Sequence, residues 1–187
     1  MRSSNPVEQI GERIGCGMDF LGDALAKLSA TPVQVAELVY GLSEEQLSWK
    51  PSSELFSMRE SIWHLRDIDV EGYEQRIHLI LSEDAPMLPD VNGRKLAQER
   101  DYNVQPIDPA LTELAIVRAS SVERLSACQA ADLERTAEME GAGTITLRRL
   151  LEMWMRHDEE HLADMAELRR VVEANDGNFS FGKHEAA

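Results

Sequence analysis

The sequence predicts an all-α domain, a four-helix bundle with one long crossover between the second and third helices. Three observations lead there. Leu, Ala and Glu are frequent and aromatics are only 5% of residues, a mixture that favours helix. Apolar residues recur at helical spacing in four long stretches, and no stretch alternates with the period of a strand for long enough to count. One segment in the middle of the chain, 83–105, is punctuated by Pro86, Pro89 and Asn92-Gly93 and reads as a long connection. At 187 residues the chain is long enough for one domain with its own core.

The elements follow in order. Residues 1–17 mix Gly, Ser and charge and read as a flexible lead-in, with one turn of helix around Val7–Ile14. The bundle is expected over 18–174. Its first helical region runs from about Met18 to Gly41, and Thr31-Pro32 has the form of an N-cap followed by a first-turn Pro. That predicts a helix over 19–28, a break, and a second helix over 32–40. Ser43 with Gln46, and Ser57 with Glu60, are capping boxes. The first starts a short turn ended by Pro51. The second opens a helix to about Leu81, whose apolar face carries Met58, Ile62, Leu65, Ile68, Leu79 and Ile80. The crossover holds a short helix near Arg94–Tyr102. Asp108-Pro109 reads as cap and first-turn Pro of a third helix to about Ala130, with Leu111, Leu114, Val122, Leu125 and Cys128 inward. Gly141 and Gly143 precede the last helix, Asn175-Asp176-Gly177 ends it, and 175–187 is a tail.

The last helix, TITLRRLLEMWMRHDEEHLADMAELRRVVE over 144–173, carries the chemistry. At about 100° per residue, Leu147, Leu150, Trp154, Met165, Leu168 and Val172 fall in one stripe, and His157 and His161 fall inside it. At i and i+4 the two rings are neighbours and can point to one cation. The spacing alone also fits two imidazoles that hydrogen-bond within a core, or a rotated helix with both rings wet. Burial among Leu and Trp favours the metal, which would satisfy both rings at once. His64, at the border of the apolar face of the second helix, is the natural third ligand. His78 and His184 read as surface positions. The run HDEEH differs from the HExxH of zinc proteases, since Asp158 stands where the general-base Glu would be.

The segments LSEEQLSWKPSSELFSMRESIWHLRDID and TLRRLLEMWMRHDEEHLADMAELRR, with RKLAQERDYN and DPALTELAIVRASSVERL between them, resemble the DinB-like superfamily, also called DinB/YfiT-like. The match in order and spacing spans about Met18 to Arg170. The resemblance implies a four-helix bundle, often dimeric, and a divalent metal held by His64, His157 and His161. It departs at Phe56-Ser57, where the family often has Trp-Ser, and at Asp164, where it often has Gln. It also implies thiol-dependent transfer, with a low-molecular-weight thiol as cosubstrate, or hydrolysis.

Three neutral imidazoles would leave a metal its charge and open positions, and do not choose among zinc, nickel and iron. The first expectation is a metal-dependent thiol S-transferase acting on small electrophiles, with Asp158 or Asp69 as a base behind the ligands. The alternatives are a metal-dependent hydrolase and a non-catalytic metal-binding bundle. A net charge of −15 disfavours nucleic acid and anionic membranes as partners, leaving a small-molecule substrate and a possible homodimer. With no export signal, no run of about 18 apolar residues and only two cysteines, the cytoplasm is the expected location.

Overall fold

The computed structural model describes residues 6–175, with side chains from Cys16 onward. Helix α1 spans Pro6–Val39 and α2 spans Glu44–Ser48. Helix α3 (Met58–Ile68) passes through a π turn (Asp69–Tyr73) into α4 (Glu74–Ser82). The crossover contains β1 (Met87–Leu88), α5 (Gly93–Glu99) and a 3₁₀ turn (Tyr102–Val104). Helix α6 (Ile107–Ser126), strands β2 (Thr136–Met139) and β3 (Gly143–Thr146), and α7 (Leu147–Ala174) complete the described chain. Four long helical segments, α1, α3–α4, α6 and α7, form the bundle. Helix α1 lies against α6 and α7, and α3 against the same two. Among the described residues no helix is long and apolar enough to cross a membrane.

Both capping boxes form as the sequence predicts. Ser43 and Gln46 cap α2, and Ser57 and Glu60 cap α3, each pair exchanging side chain-to-backbone bonds in both directions. The crossover is pinned over α3 by a buried carboxylate. Asp67 accepts from the Tyr102 hydroxyl and from the guanidinium groups of Arg100 and Arg66.

Several expectations need correction. Residues 6–17 are the first turns of α1 rather than a loose lead-in, while residues 1–5 and 176–187 lie outside the described part. Thr31-Pro32 does not break α1. Proline removes the N–H that would bond the carbonyl of Leu28 four residues back, and Arg118 Nη1 of α6 donates to that carbonyl instead, at 3.2 Å. Thr31 is no cap; its buried hydroxyl donates to Asp158 Oδ2 at 2.7 Å. Asp108 and Pro109 are the second and third residues of α6, which begins after Pro106 and ends at Ser126. The crossover helix stops at Glu99.

The chain also has strands. β1 pairs in parallel with β2 (Leu88 with Met139), and β2 pairs antiparallel with β3 (Ala137 with Ile145). Two to four residues are too few to register an alternation, so periodicity could not reveal them. Gly141 and Gly143, at φ 76° and 71°, close this hairpin ahead of the last helix. Helix α7 accordingly starts at Leu147, with Thr146 as its cap.

A charged cluster is buried in the middle of the bundle. Arg118, 1% exposed, donates Nε to Asp69 Oδ2 at 2.8 Å and Nη2 to Asp69 Oδ1 at 3.1 Å. It also donates Nη1 to Asp158 Oδ2 and Nη2 to Asp158 Oδ1. Trp154 Nε1 adds a bond to Asp69 Oδ1 at 2.9 Å, and its ring lies 4.5 Å beneath the guanidinium. The cluster ties α1, the π turn, α6 and α7 together. Replacing Arg118 by Met leaves two buried carboxylates without their cation. Chemical denaturation is expected to show a loss of about 3–5 kcal/mol.

Candidate metal centre

His64 comes from the middle of α3, and His157 and His161 from successive turns of α7. The structure brings all three together, and one ring nitrogen of each lies within 4.8 Å of the others. His64 Nε2 and His157 Nε2 are 3.1 Å apart, and the three ring centres are 4.5–5.2 Å apart. Burial, with the neighbouring rings adding to it, pushes His64 down to about 2 and His161 down to about 4. The neutral form that a metal requires is therefore the form these two rings hold at neutral pH.

The residues fit a divalent cation. Imidazoles converge nitrogen to nitrogen, and the outer nitrogens, His64 Nδ1 and His157 Nδ1, are buried without a hydrogen-bond partner. A core built only to hydrogen-bond these rings would supply acceptors for them. The carboxylate nearest His157 Nδ1, Asp158 Oδ1, stands at 3.9 Å, beyond bonding distance.

The rings are held mainly by packing. Phe56 lies 5.1 Å from His64 and 6.4 Å from His161, centre to centre. Gly93, the first residue of α5, touches the other side of His64. A Cβ at Gly93 would stand 2.4 Å from His64 Cε1 and 2.7 Å from Nδ1. The crossover thus closes over the site at a position where only glycine leaves room for the ring.

Two cavities meet at the triad. One, of about 520 Å³, is lined by all three histidines with Ile68, Tyr73 and Arg76 among its walls. The other, of about 450 Å³, reaches His64 and His161 past Trp49, Leu55 and Phe56. Asp164 and Glu167 line the second.

Asp69 and Asp158, the expected bases, line neither. Both are committed to Arg118, and Asp158 borders a separate cavity of about 310 Å³ between α1 and α7. Burial, with Asp158 close by, raises Asp69 to about 6, though Arg118 and Trp154 oppose the shift. Burial works the same way on Asp158, but the nearby His157 ring, the charge of Arg118 and bonds from Arg118 and Thr31 outweigh it and hold its carboxyl below the usual range. One guanidinium serves two carboxylates, and the more deeply buried of the two is left the weaker acid. Arg118 itself was not singled out from the sequence. The available signal was its place in the inward stripe of α6, between Leu114 and Val122.

A family model described as the DinB superfamily matches residues 27–165. The chain belongs to the DinB superfamily. Its relatives in the superfamily include YuaE of Bacillus subtilis, 26% identical over 147 residues that cover 71% of this chain and 89% of YuaE. Another, from Oceanobacillus iheyensis, carries the name "Putative metal-dependent hydrolase OB0782"; it is 24% identical, over 79% of this chain and 85% of that one. Among solved structures, YfiT from Bacillus subtilis aligns with a TM-score of 0.76 at 20% identity, over 92% of this chain and 93% of YfiT. YfiT is described as "a probable metal-dependent hydrolase with an unusual four-helix bundle topology". At that identity the likeness establishes the shared fold, and the DinB bundle described above is that fold.

Two measurements test the geometry. Gly93→Ala forces the His64 ring to move, so affinity for Zn²⁺ is expected to fall about 10- to 100-fold with the helical content unchanged, the range seen when a ligand's support is lost. The second concerns pH. The raised carboxyl of Asp69 adds stability that is complete below its ordinary value of 3.8 and is lost as pH rises through about 6. Measured on metal-free protein, wild type should lose on the order of 3 kcal/mol relative to Asp69→Asn between about pH 3 and about pH 7. The two curves should run parallel above that window.

Proposed function

We propose that the three histidines hold a divalent metal and that the protein is a metal-dependent hydrolase of a small molecule. The observation that carries this reading is the convergence of three imidazoles on the wall of a cavity wide enough for a ligand. Such an ion supplies Lewis acidity and lowers the pKa of a bound water or thiol into the neutral range.

The chain's own contribution is placement. His64, His157 and His161 bring no negative charge, so the ion's charge acts in full on what binds opposite them. Phe56 and Ile68 wall the site with apolar surface and strengthen electrostatic contacts inside it. Asp69 and Asp158, with their lone pairs occupied by Arg118, Thr31 and Trp154, are assigned to positioning: they fix the rotation of α7 that turns His157 and His161 toward α3. The names of the relatives favour water as the nucleophile.

One observation favours a thiol instead. Two cavities converge on His64 and His161, and transfer of a low-molecular-weight thiol to an electrophile needs room for two reactants. A hydrolase needs one. The chain's net charge of −15 fits a small-molecule substrate in either case.

The test is metal analysis followed by a substrate panel. Purified wild-type protein is expected to bind one Zn²⁺, Ni²⁺ or Fe²⁺, and His64→Ala or His157→Ala to bind it more than about 100-fold more weakly, beyond the range for an outer partner. Equal metal content in wild type and variants would overturn the triad. With the metal bound, ester and amide hydrolysis without added thiol supports the hydrolase, whereas turnover only with a thiol selects the transferase.

A further inference from the structure

One buried charge beside the triad is unexplained by the metal or by the bundle core. Arg76, on α4, is 6% exposed. Its Nε and Nη2 donate to the carbonyl of Pro89, at 3.2 and 2.9 Å. No acceptor is assigned to Nη1, and among the described residues no carboxylate lies within 4 Å of the guanidinium. Arg118, more deeply buried still, has two.

The position of Arg76 relates it to the histidines. Its guanidinium centre is 5.8 Å from the centre of the Tyr73 ring, and His157 is 6.0 Å from that same ring, centre to centre. Arg76, Tyr73 and the three histidines line one cavity of about 520 Å³. A guanidinium largely removed from water gains from an anion that meets its charge; a single backbone carbonyl does not meet it, and Nη1 is left free to bind one. If Arg76 served only to tether the crossover through Pro89, an uncharged donor would do so without burying a cation. Burial indeed lowers its pKa, with Tyr73 and Asp90 opposing only in part. The remaining charged groups on the cavity wall are the exposed Asp90 at its rim and Arg94, which stands 3.9 Å from Glu54.

Building on the metal-centre reading above, we propose that Arg76 is the anion subsite of the triad cavity. The substrate is then a small molecule bearing a carboxylate, which Arg76 holds through Nη1 while the reacting group faces the histidines. The overall charge of −15 repels anions at long range. A local guanidinium, desolvated and able to make charge-assisted hydrogen bonds, is what lets a carboxylate ligand enter against that field.

The test compares two metal chelators of the same length by calorimetry on Zn²⁺-loaded protein. Succinic monohydroxamate carries a carboxylate where butyrohydroxamate carries a methyl. Wild type is expected to bind the carboxylate-bearing chelator at least about 10-fold more tightly, as one charge-assisted contact would give. That preference should vanish in Arg76→Met, with butyrohydroxamate affinity unchanged. Arg76→Lys, which keeps the charge and loses the fork, should retain part of it and serves as the variant if Arg76→Met does not fold. Equal binding of both chelators by wild type, or a preference that survives in Arg76→Met or is as large in Arg76→Lys as in wild type, overturns the subsite and leaves the metal centre standing. If wild-type protein cannot be loaded with Zn²⁺, the metal centre itself falls and the subsite with it; if it loads but binds neither chelator, the subsite falls alone.

Discussion

The rest of the structure depends on one guanidinium. Arg118 reaches from α6 into the middle of the bundle, where it meets Asp69 of the π turn, Asp158 of α7 and the Leu28 carbonyl of α1. Three apparent irregularities are resolved there together. Pro32 leaves a carbonyl without its helical donor. The π turn brings Asp69 inward. A carboxylate sits next to a histidine on the last helix. Each is costly alone in an apolar interior, and each is satisfied by a donor of the same side chain or by Trp154 and Thr31 beside it.

That arrangement divides α7 into two faces with different duties. Asp158 turns toward α1 and α6 and is locked in the ion cluster. His157 and His161, about 60–100° round the helix, face α3 and meet His64. The ion cluster therefore sets how the helix is rotated, and the rotation sets where the imidazole nitrogens converge. The opposite wall is set by the crossover, which Asp67 and Arg76 hold down and which delivers Gly93 against the His64 ring. Charge on one side and steric fit on the other keep three imidazole rings at the meeting point of two cavities.

Much of this was legible beforehand. The capping boxes at Ser43 and Ser57 depend on contacts three residues apart, so the sequence displays both partners at once. The i, i+4 pair of histidines inside an apolar stripe is equally local, and it marked the candidate site; His64 joined it as the histidine bordering the other long apolar face. The misreadings share one cause. Thr31-Pro32 carries the local signature of a helix start, and only Arg118, 86 positions beyond Pro32, lets the helix run through. The hairpin that Gly141 and Gly143 close goes unread because its strands are too short to show a period. Arg118 itself sat in the inward stripe of α6, where its charge was the signal that passed unread.

By itself the sequence determined the helical class, the order of the long segments, the two caps and the identity of the three histidines. These follow from periodicity and near-neighbour chemistry, which the backbone imposes locally. Only the tertiary structure decided what the acidic residues do. Asp69 and Asp158 are spaced as well for a base as for an ion pair, and the difference lies in a guanidinium that folding brings from another helix. The same holds for Gly93 and Arg76, whose parts are defined by what they touch across the crossover. A side chain's solvation and partners are set by packing between distant segments, and no local pattern encodes them.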